Sequence, residues 1–212
     1  MKRLVPIVAA LLVVFASSLA NAESYAGFRM GVNMAKFVGD DADQIPDTRT
    51  GFTGGGFIGF DSGKHLGFRT DLLYTMKGGV ADDGYTEIKL DYLEVAPLLV
   101  VRFPITGRFA VRGFVGPMLG LWASAEAATL FDDGTDEGEV DVDLGEIVQH
   151  WEFSAVIGAE LNVTAGPYVA LFEVRYSQGS RVFDDFGPDG QPIDLQVSNS
   201  GIAFMTGLMV PF

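Results

Sequence analysis

The sequence predicts an all-β fold, an eight-stranded antiparallel up-and-down transmembrane β-barrel, on three observations. Behind an export leader the chain alternates apolar and polar residues over eight segments, its connections alternate between short and long, and the charges within the segments keep to one face. Composition narrows the alternatives. With 48% hydrophobic and 20% charged residues in 212, the chain is too apolar for a disordered one. The formal net charge of −14, more negative still without Lys2 and Arg3, argues against nucleic acid as a partner. Zero cysteines exclude a disulfide scaffold, a thiolate metal site and a cysteine nucleophile. The 27 glycines are close to twice the usual share of about 7%, which suits strands with tight bends and small-residue packing.

The leader comes first. Lys2 and Arg3 precede an apolar run from Leu4 to Leu19, and Ala20 and Ala22 flank Asn21 in an A-x-A cleavage pattern, so residues 1–22 read as a cleaved signal peptide and 23–212 as the barrel domain. Beyond Ala22 no apolar run approaches the roughly 20 residues of a membrane helix. An exported chain of this composition enters a membrane in one other way, as a closed barrel. The candidate strands are 25–36, 51–61, 65–77, 87–103, 108–124, 150–163, 167–178 and 200–212. Asp61–Lys64, Pro104–Gly107 and Thr164–Gly166 are short and rich in turn residues, whereas 37–50, 78–86, 125–149 and 179–199 are long. Short periplasmic turns and long outer loops are the layout of an outer-membrane barrel, with both termini at the periplasmic end.

The faces are then assigned by parity. In the sixth segment Trp151, Phe153, Ala155, Ile157, Ala159, Leu161 and Val163 oppose Glu152, Ser154, Glu160 and Asn162. The pairs Glu173/Arg175, Glu94/Arg102, Arg69/Asp71 and Arg108/Arg112 likewise share a face within their segments, against apolar neighbours. Five such coincidences at even odds would arise about once in thirty by chance. The inward set is therefore Arg29, Arg69, Asp71, Glu94, Arg102, Arg108, Arg112, Glu152, Glu160, Glu173 and Arg175. Outward aromatics fall in two bands. Phe60, Phe68, Phe103, Phe109, Tyr168 and Phe212 lie near the short turns, and Phe52, Tyr74, Trp151 and Tyr176 near the long loops, as interfacial girdles require. Phe57, Phe114 and Trp122 point inward by parity.

The segments GFRMGVNMAKF (27–37), GFTGGGFIGF (51–60), LGFRTDLLYTMKGG (66–79), LDYLEVAPLLVVRF (90–103) and GFVGPMLGLWASAE (113–126) carry a resemblance. The chain resembles the eight-stranded bacterial outer-membrane barrels of PorT-like and OmpA/OmpX type over most of its length. Gly31, Asn33, Leu72, Leu73, Tyr74, Lys77, Gly78, Asp91, Tyr92, Leu93, Glu94 and Pro97 occupy the matching positions, with Pro97 one residue further out than the commonest family form, as a local bulge would place it. Gly207, Val210 and Phe212 resemble the family's C-terminal insertion signal, with Met205 where a polar residue is usual. The resemblance implies Sec-type export, periplasmic chaperones and barrel-assembly machinery during insertion, and residence in the outer membrane among its lipids. It also admits an accessory role in an outer-membrane secretion system.

An eight-stranded barrel is just wide enough for its own side chains to fill it. The near-balanced inward charges therefore predict mutual pairing and a closed lumen in a monomeric, non-enzymatic protein with a structural or surface-interaction role, rather than a small-ion channel. The competing reading is a soluble periplasmic lipocalin-like barrel, with the apolar face inside around a small ligand. Acids crowd the loops: Asp132, Asp133, Asp136, Glu137, Glu139, Asp141 and Asp143 occur without Lys or Arg over 128–148, and Asp184, Asp185 and Asp189 follow later. They lack the spacing of an EF-hand and read as solvated acidic loops, with no metal or cofactor expected. Catalysis would need His65 or His150 as base. Ser154, the nearest candidate nucleophile on the same strand, stands roughly 13 Å from His150 along an extended chain.

Overall fold

The computed structural model describes residues 23–40, 42, 45–63, 65–81, 86–132, 137–143, 150–182 and 197–212. The proposed cleavage residues Ala20 and Ala22 lie outside them, as do Asp133, Asp136, Asp184, Asp185 and Asp189 and the side chains of the remaining acids in the 128–148 loop. The strands are β1 (Glu23–Val38), β2 (Asp47–Ser62), β3 (Leu66–Val80), β4 (Thr86–Pro104), β5 (Phe109–Asp132), β6 (Glu137–Asp143), β7 (Trp151–Ala165), β8 (Tyr168–Arg181) and β9 (Ser198–Pro211). Around the wall each strand pairs antiparallel with the next, β5 with β7 past β6, and β1 pairs with β9 from Tyr25↔Pro211 to Val38↔Ser198, which closes the ring. Eight strands make the closed barrel. β6 stands outside that count, because it pairs only with the outer part of β5, from Glu126↔Asp143 to Asp132↔Glu137.

Period-two alternation becomes two chemically distinct faces. On β1, Phe28, Met30, Val32 and Met34 are between 45% and 51% exposed, whereas Arg29 and Asn33 are 1% and 3% exposed. The same division holds on β7, where Trp151, Phe153 and Ile157 face out and Glu152, Ser154 and Glu160 are buried. The lipocalin-like reading needs the opposite arrangement, and this exposure pattern overturns it. Short turns at Gly63 and Gly166 use glycines at φ +74° and +65°, conformations that L side chains rarely adopt. The exposed Phe103, Phe109, Tyr168 and Phe212 ring the end that holds these turns, and Phe52, Trp151 and Tyr176 lie towards the other. Phe60 and Phe68, directly paired across β2 and β3, have ring centroids 5.9 Å apart.

Two expectations need correction. The expected loop 125–149 is partly regular, since β5 continues to Asp132 and folds back through β6 as a hairpin beyond the rim. The alternation AEAATL was too weakly amphipathic to signal it. Nor is there a bulge at Val95–Ala96, where β3 and β4 stay in register from Leu66↔Val101 to Val80↔Glu87. The irregularity lies between Asp91 and Tyr92, whose β5 partners are Ser124 and Trp122, so the extra residue belongs to β5.

Candidate functional site

The lumen holds the charged residues, and the strands that deliver them do so in three tiers. In the middle, Arg29 from β1, Arg69 and Asp71 from β3, Glu160 from β7, and Glu173 and Arg175 from β8 converge, all buried. Three guanidinium groups meet three carboxylates. Arg29 pairs with Asp71, with Glu173 at 2.5 Å and with Glu160 at 3.7 Å. Arg69 reaches Asp71 at 2.9 Å, Glu160 at 2.7 Å and Glu173 at 3.1 Å. Arg175 reaches Asp71 and Glu173, each at 2.7 Å. Each guanidinium thus serves two or three carboxylates, the multidentate pattern that its planar fork permits.

Aromatic rings wall this tier. Arg29 and Arg69 lie over the Phe57 ring at 4.8 and 5.4 Å, and Arg69 and Arg175 lie over Phe114 at 4.7 and 5.4 Å. These are cation–π distances between buried groups. The rings need room beside them on the neighbouring strand, where their direct cross-strand partners are glycines, Gly27 for Phe57 and Gly158 for Phe114. A Cβ on Gly27 would sit 2.5 Å from Phe57 Cζ, and one on Gly158 would collide with the Phe114 ring and lie 2.6 Å from the Val174 carbonyl oxygen.

Towards the outer mouth, Lys77 joins Glu94 at 2.7 Å and Glu152 at 2.5 Å. Thr75 Oγ1 donates to Glu94 at 2.7 Å, Ser154 Oγ to Glu152 at 2.7 Å, and Asn199 Nδ2 to Glu152 at 2.6 Å. Above them an apolar cluster of Phe37, Ala42, Leu90, Tyr92, Ala125, Val182 and Val197 packs inside the extended wall, with Trp122 against it. At the turn end, Arg112 pairs with Asp61 at 2.7 Å and lies over Tyr25 at 4.4 Å, beside the cluster of Tyr25, Phe57, Val169, Leu171 and Met209.

Nine of the eleven expected lumen residues are buried inside: Arg29, Arg69, Asp71, Glu94, Arg112, Glu152, Glu160, Glu173 and Arg175. Arg102 is at the rim, its side chain 35% exposed and 3.9 Å from Asp61. Arg108 is not in the lumen. β5 starts only at Phe109, so Arg108 falls in the turn and is exposed, and its shared parity with Arg112 was a coincidence across a turn boundary. Three buried charges among the described residues were missed; Arg49 fell in the expected loop 37–50, but β2 already begins at Asp47. Lys77 has the parity of Asp71 and was readable on that ground, whereas the Asp-Ser-Gly pattern disguised Asp61 as a turn residue.

The hydrolase candidates do not assemble. Ser154 Oγ is committed to Glu152, His150 lies edge-on to Trp122 with centroids 5.2 Å apart, and His65 Nδ1 is 3.1 Å from the Arg102 carbonyl oxygen. Among the described residues no group of three or more His, Cys, Asp or Glu is placed to hold a metal ion.

Solved structures similar to the chain include Neisserial surface protein A, at 15% identity and TM-score 0.48 over 89% of this chain and 97% of that one. OprG of Pseudomonas aeruginosa aligns at 11% identity and TM-score 0.47 over 90% and 96%, and the attachment invasion locus protein Ail of Yersinia pestis at 13% and 0.45 over 90% and 99%. No curated protein matches the chain. The family model described as outer membrane protein beta-barrel domain matches residues 7–208, nearly the whole sequence. The chain therefore belongs to the outer membrane protein beta-barrel domain family, and its apolar outer wall is the surface that meets the lipid of the outer membrane.

Proposed function

We propose that the protein is a non-enzymatic, closed barrel that anchors a recognition surface at the outer face of the outer membrane. One observation carries the reading: the three buried arginines and three buried carboxylates that fill the central tier. Side chains so thoroughly paired leave no route for hydrated ions without breaking several charge-assisted bonds at once. The apolar cluster over the outer mouth adds a second closure. A rigid, sealed wall leaves its outer connections as the part free to specialise. Among these, the β5–β6 hairpin rises beyond the rim, and its sequence over 128–148 is acidic without a basic residue. The partner class this favours is basic or cation-bridged, and the barrel works as a monomer exported by residues 1–22 and inserted from the periplasm.

Planar-bilayer recording tests the closed lumen. The folded protein is expected to give no stable conductance steps at 1 M salt, a condition conventional for detecting small pores; reproducible large steps would refute the reading.

A further inference from the structure

Over most of the wall backbone ladders join the strands, but the β2–β3 seam is interrupted in its outer half. The ladder runs from Ser62↔Leu66 to Thr53↔Thr75 and resumes only at Thr48↔Gly79. Between these rungs Arg49–Phe52 stands against Met76–Gly78, so β2 carries one residue more than β3 and the register is lost there. On either side the wall is continuous. β1 and β2 are paired from Glu23↔Asp61 to Ala35↔Arg49, and β3 and β4 from Leu66↔Val101 to Val80↔Glu87. The β3 side of the gap turns at Gly78, whose φ of +123° suits glycine and where a Cβ would collide with the Ile88 carbonyl oxygen.

Among the described residues, two side chains bridge this gap to β3 carbonyls. Asn33, 3% exposed on β1, passes its β2 partner Gly51 and donates from Nδ2 to the Met76 carbonyl at 2.9 Å. A Cβ on Gly51 would lie 2.6 Å from Met76 Cβ, so glycine keeps that approach open. Arg49 Nη1 donates to the Lys77 carbonyl at 2.5 Å, while its Nε bonds Glu87 at 2.5 Å. Asp91, which accepts from the Tyr74 hydroxyl, stands 3.9 Å from the same Nη1. The guanidinium thus ties β2 to β3 and β4 together. Side-chain bonds of this kind hold less firmly than a ladder, because each rests on one rotamer, and the Glu87 side chain is 38% exposed to solvent. Lys77, on the β3 side of the gap, also carries the ammonium that joins Glu94 and Glu152 in the outer tier, whereas the central tier is paired through Arg29, Arg69 and Arg175. We propose that the seam is a side-chain latch: the wall opens locally at Arg49–Phe52 and Met76–Gly78 and loosens the outer tier at Lys77 while the central tier stays shut, and Asn33 and Arg49 hold it closed.

The test is amide hydrogen exchange of the folded, heat-shifting protein in detergent micelles, resolved residue by residue with NMR. In the parent, the amides of 49–52 and 76–78 are expected to exchange about tenfold faster than those of 55–59 and 71–73, where the ladder is intact. Asn33→Leu, close in size but without a donor, is expected to speed exchange at 49–52 and 76–78 about fivefold, and Arg49→Met, which loses a charge-assisted bond, about thirtyfold. Glu87→Gln keeps the guanidinium and weakens only its anchor, which guards against a folding defect in Arg49→Met, and it is expected to give about threefold at the same amides. The amides of Arg69–Asp71 and Glu173–Arg175 in the central tier should keep the parent's rates in every variant. Exchange at the gap no faster than at its flanks in the parent, or gap rates unchanged by both Asn33→Leu and Arg49→Met, would overturn the proposal. So would an equal acceleration in the central tier, which would make Asn33 and Arg49 general supports of the fold.

Discussion

Replacing Arg69 by methionine tests whether charge pairing holds the lumen together. Arg69 is fully buried and faces Asp71 at 2.9 Å, Glu160 at 2.7 Å and Glu173 at 3.1 Å. When it leaves, Asp71 keeps Arg29 and Arg175, and Glu173 keeps the same two at 2.5 and 2.7 Å. Among the described residues Glu160 keeps only Arg29, at 3.7 Å. The substitution therefore orphans one carboxylate rather than three. Leaving a buried charge without its partner costs about 3–5 kcal/mol. At a urea dependence of about 2 kcal/mol/M, the unfolding midpoint should fall by about 1.5–2.5 M. Methionine fills much of the space, so the loss of packing over Phe57 and Phe114 is the smaller part. Adding Glu160→Gln removes the orphaned charge and should recover most of the loss. The assay is urea unfolding of the folded barrel in detergent for the parent, both single variants and the double, which completes a mutant cycle. A midpoint for Arg69→Met indistinguishable from the parent's, or a double variant no more stable than Arg69→Met, would refute the reasoning.

Gly158→Ala should destabilise the barrel by about 1–3 kcal/mol through overpacking against Phe114, whereas Gly113→Ala, whose new methyl meets nothing, should leave the midpoint unchanged in the same assay. Phe212→Ser should lower the fraction of heat-shifted barrel recovered from the membrane, because the 72% exposed ring ends the strand that closes the wall, where Phe212 N bonds the Ser24 carbonyl at 2.8 Å.

The wall was legible because a barrel strand writes both of its faces into the sequence. Glu152 and Glu160 alternate with Trp151, Phe153, Ile157 and Leu161, and the barrel puts each set where that alternation directs. What parity does not carry is depth or the end of a strand. Arg108 and Arg112 share parity, yet one lies in a turn and the other against Asp61, and only the position of the turn distinguishes them. The tiers were equally hidden. That Glu160 meets Arg69, 91 positions away, follows from strand order and stagger around a closed ring, which a single sequence does not state. The β5–β6 hairpin escaped for a different reason, since its strands leave the bilayer and lose the pressure for one apolar face.

The charges in the lumen also decide strand register, which bears on why the barrel does not fill its interior with leucine. A buried ion-pair network is seldom more stabilising than apolar side chains of equal volume. Slipping β3 by one residue, however, would turn Arg69, Asp71 and Lys77 outward and Phe68 and Leu72 inward. A cation facing lipid near the membrane centre costs about 2–4 kcal/mol, and its abandoned carboxylates add to that. A strand apolar on both faces would slip without either cost. Replacing Arg29, Arg69, Arg175, Asp71, Glu160 and Glu173 together by apolar residues of matching volume should therefore change uniqueness more than stability. The expected result is several heat-shifted species on an unboiled gel, each resistant to urea, in place of the parent's one. A single sharp species with the parent's mobility would show that the turns and the apolar face set the register alone, and that the charged tiers serve only to close the lumen.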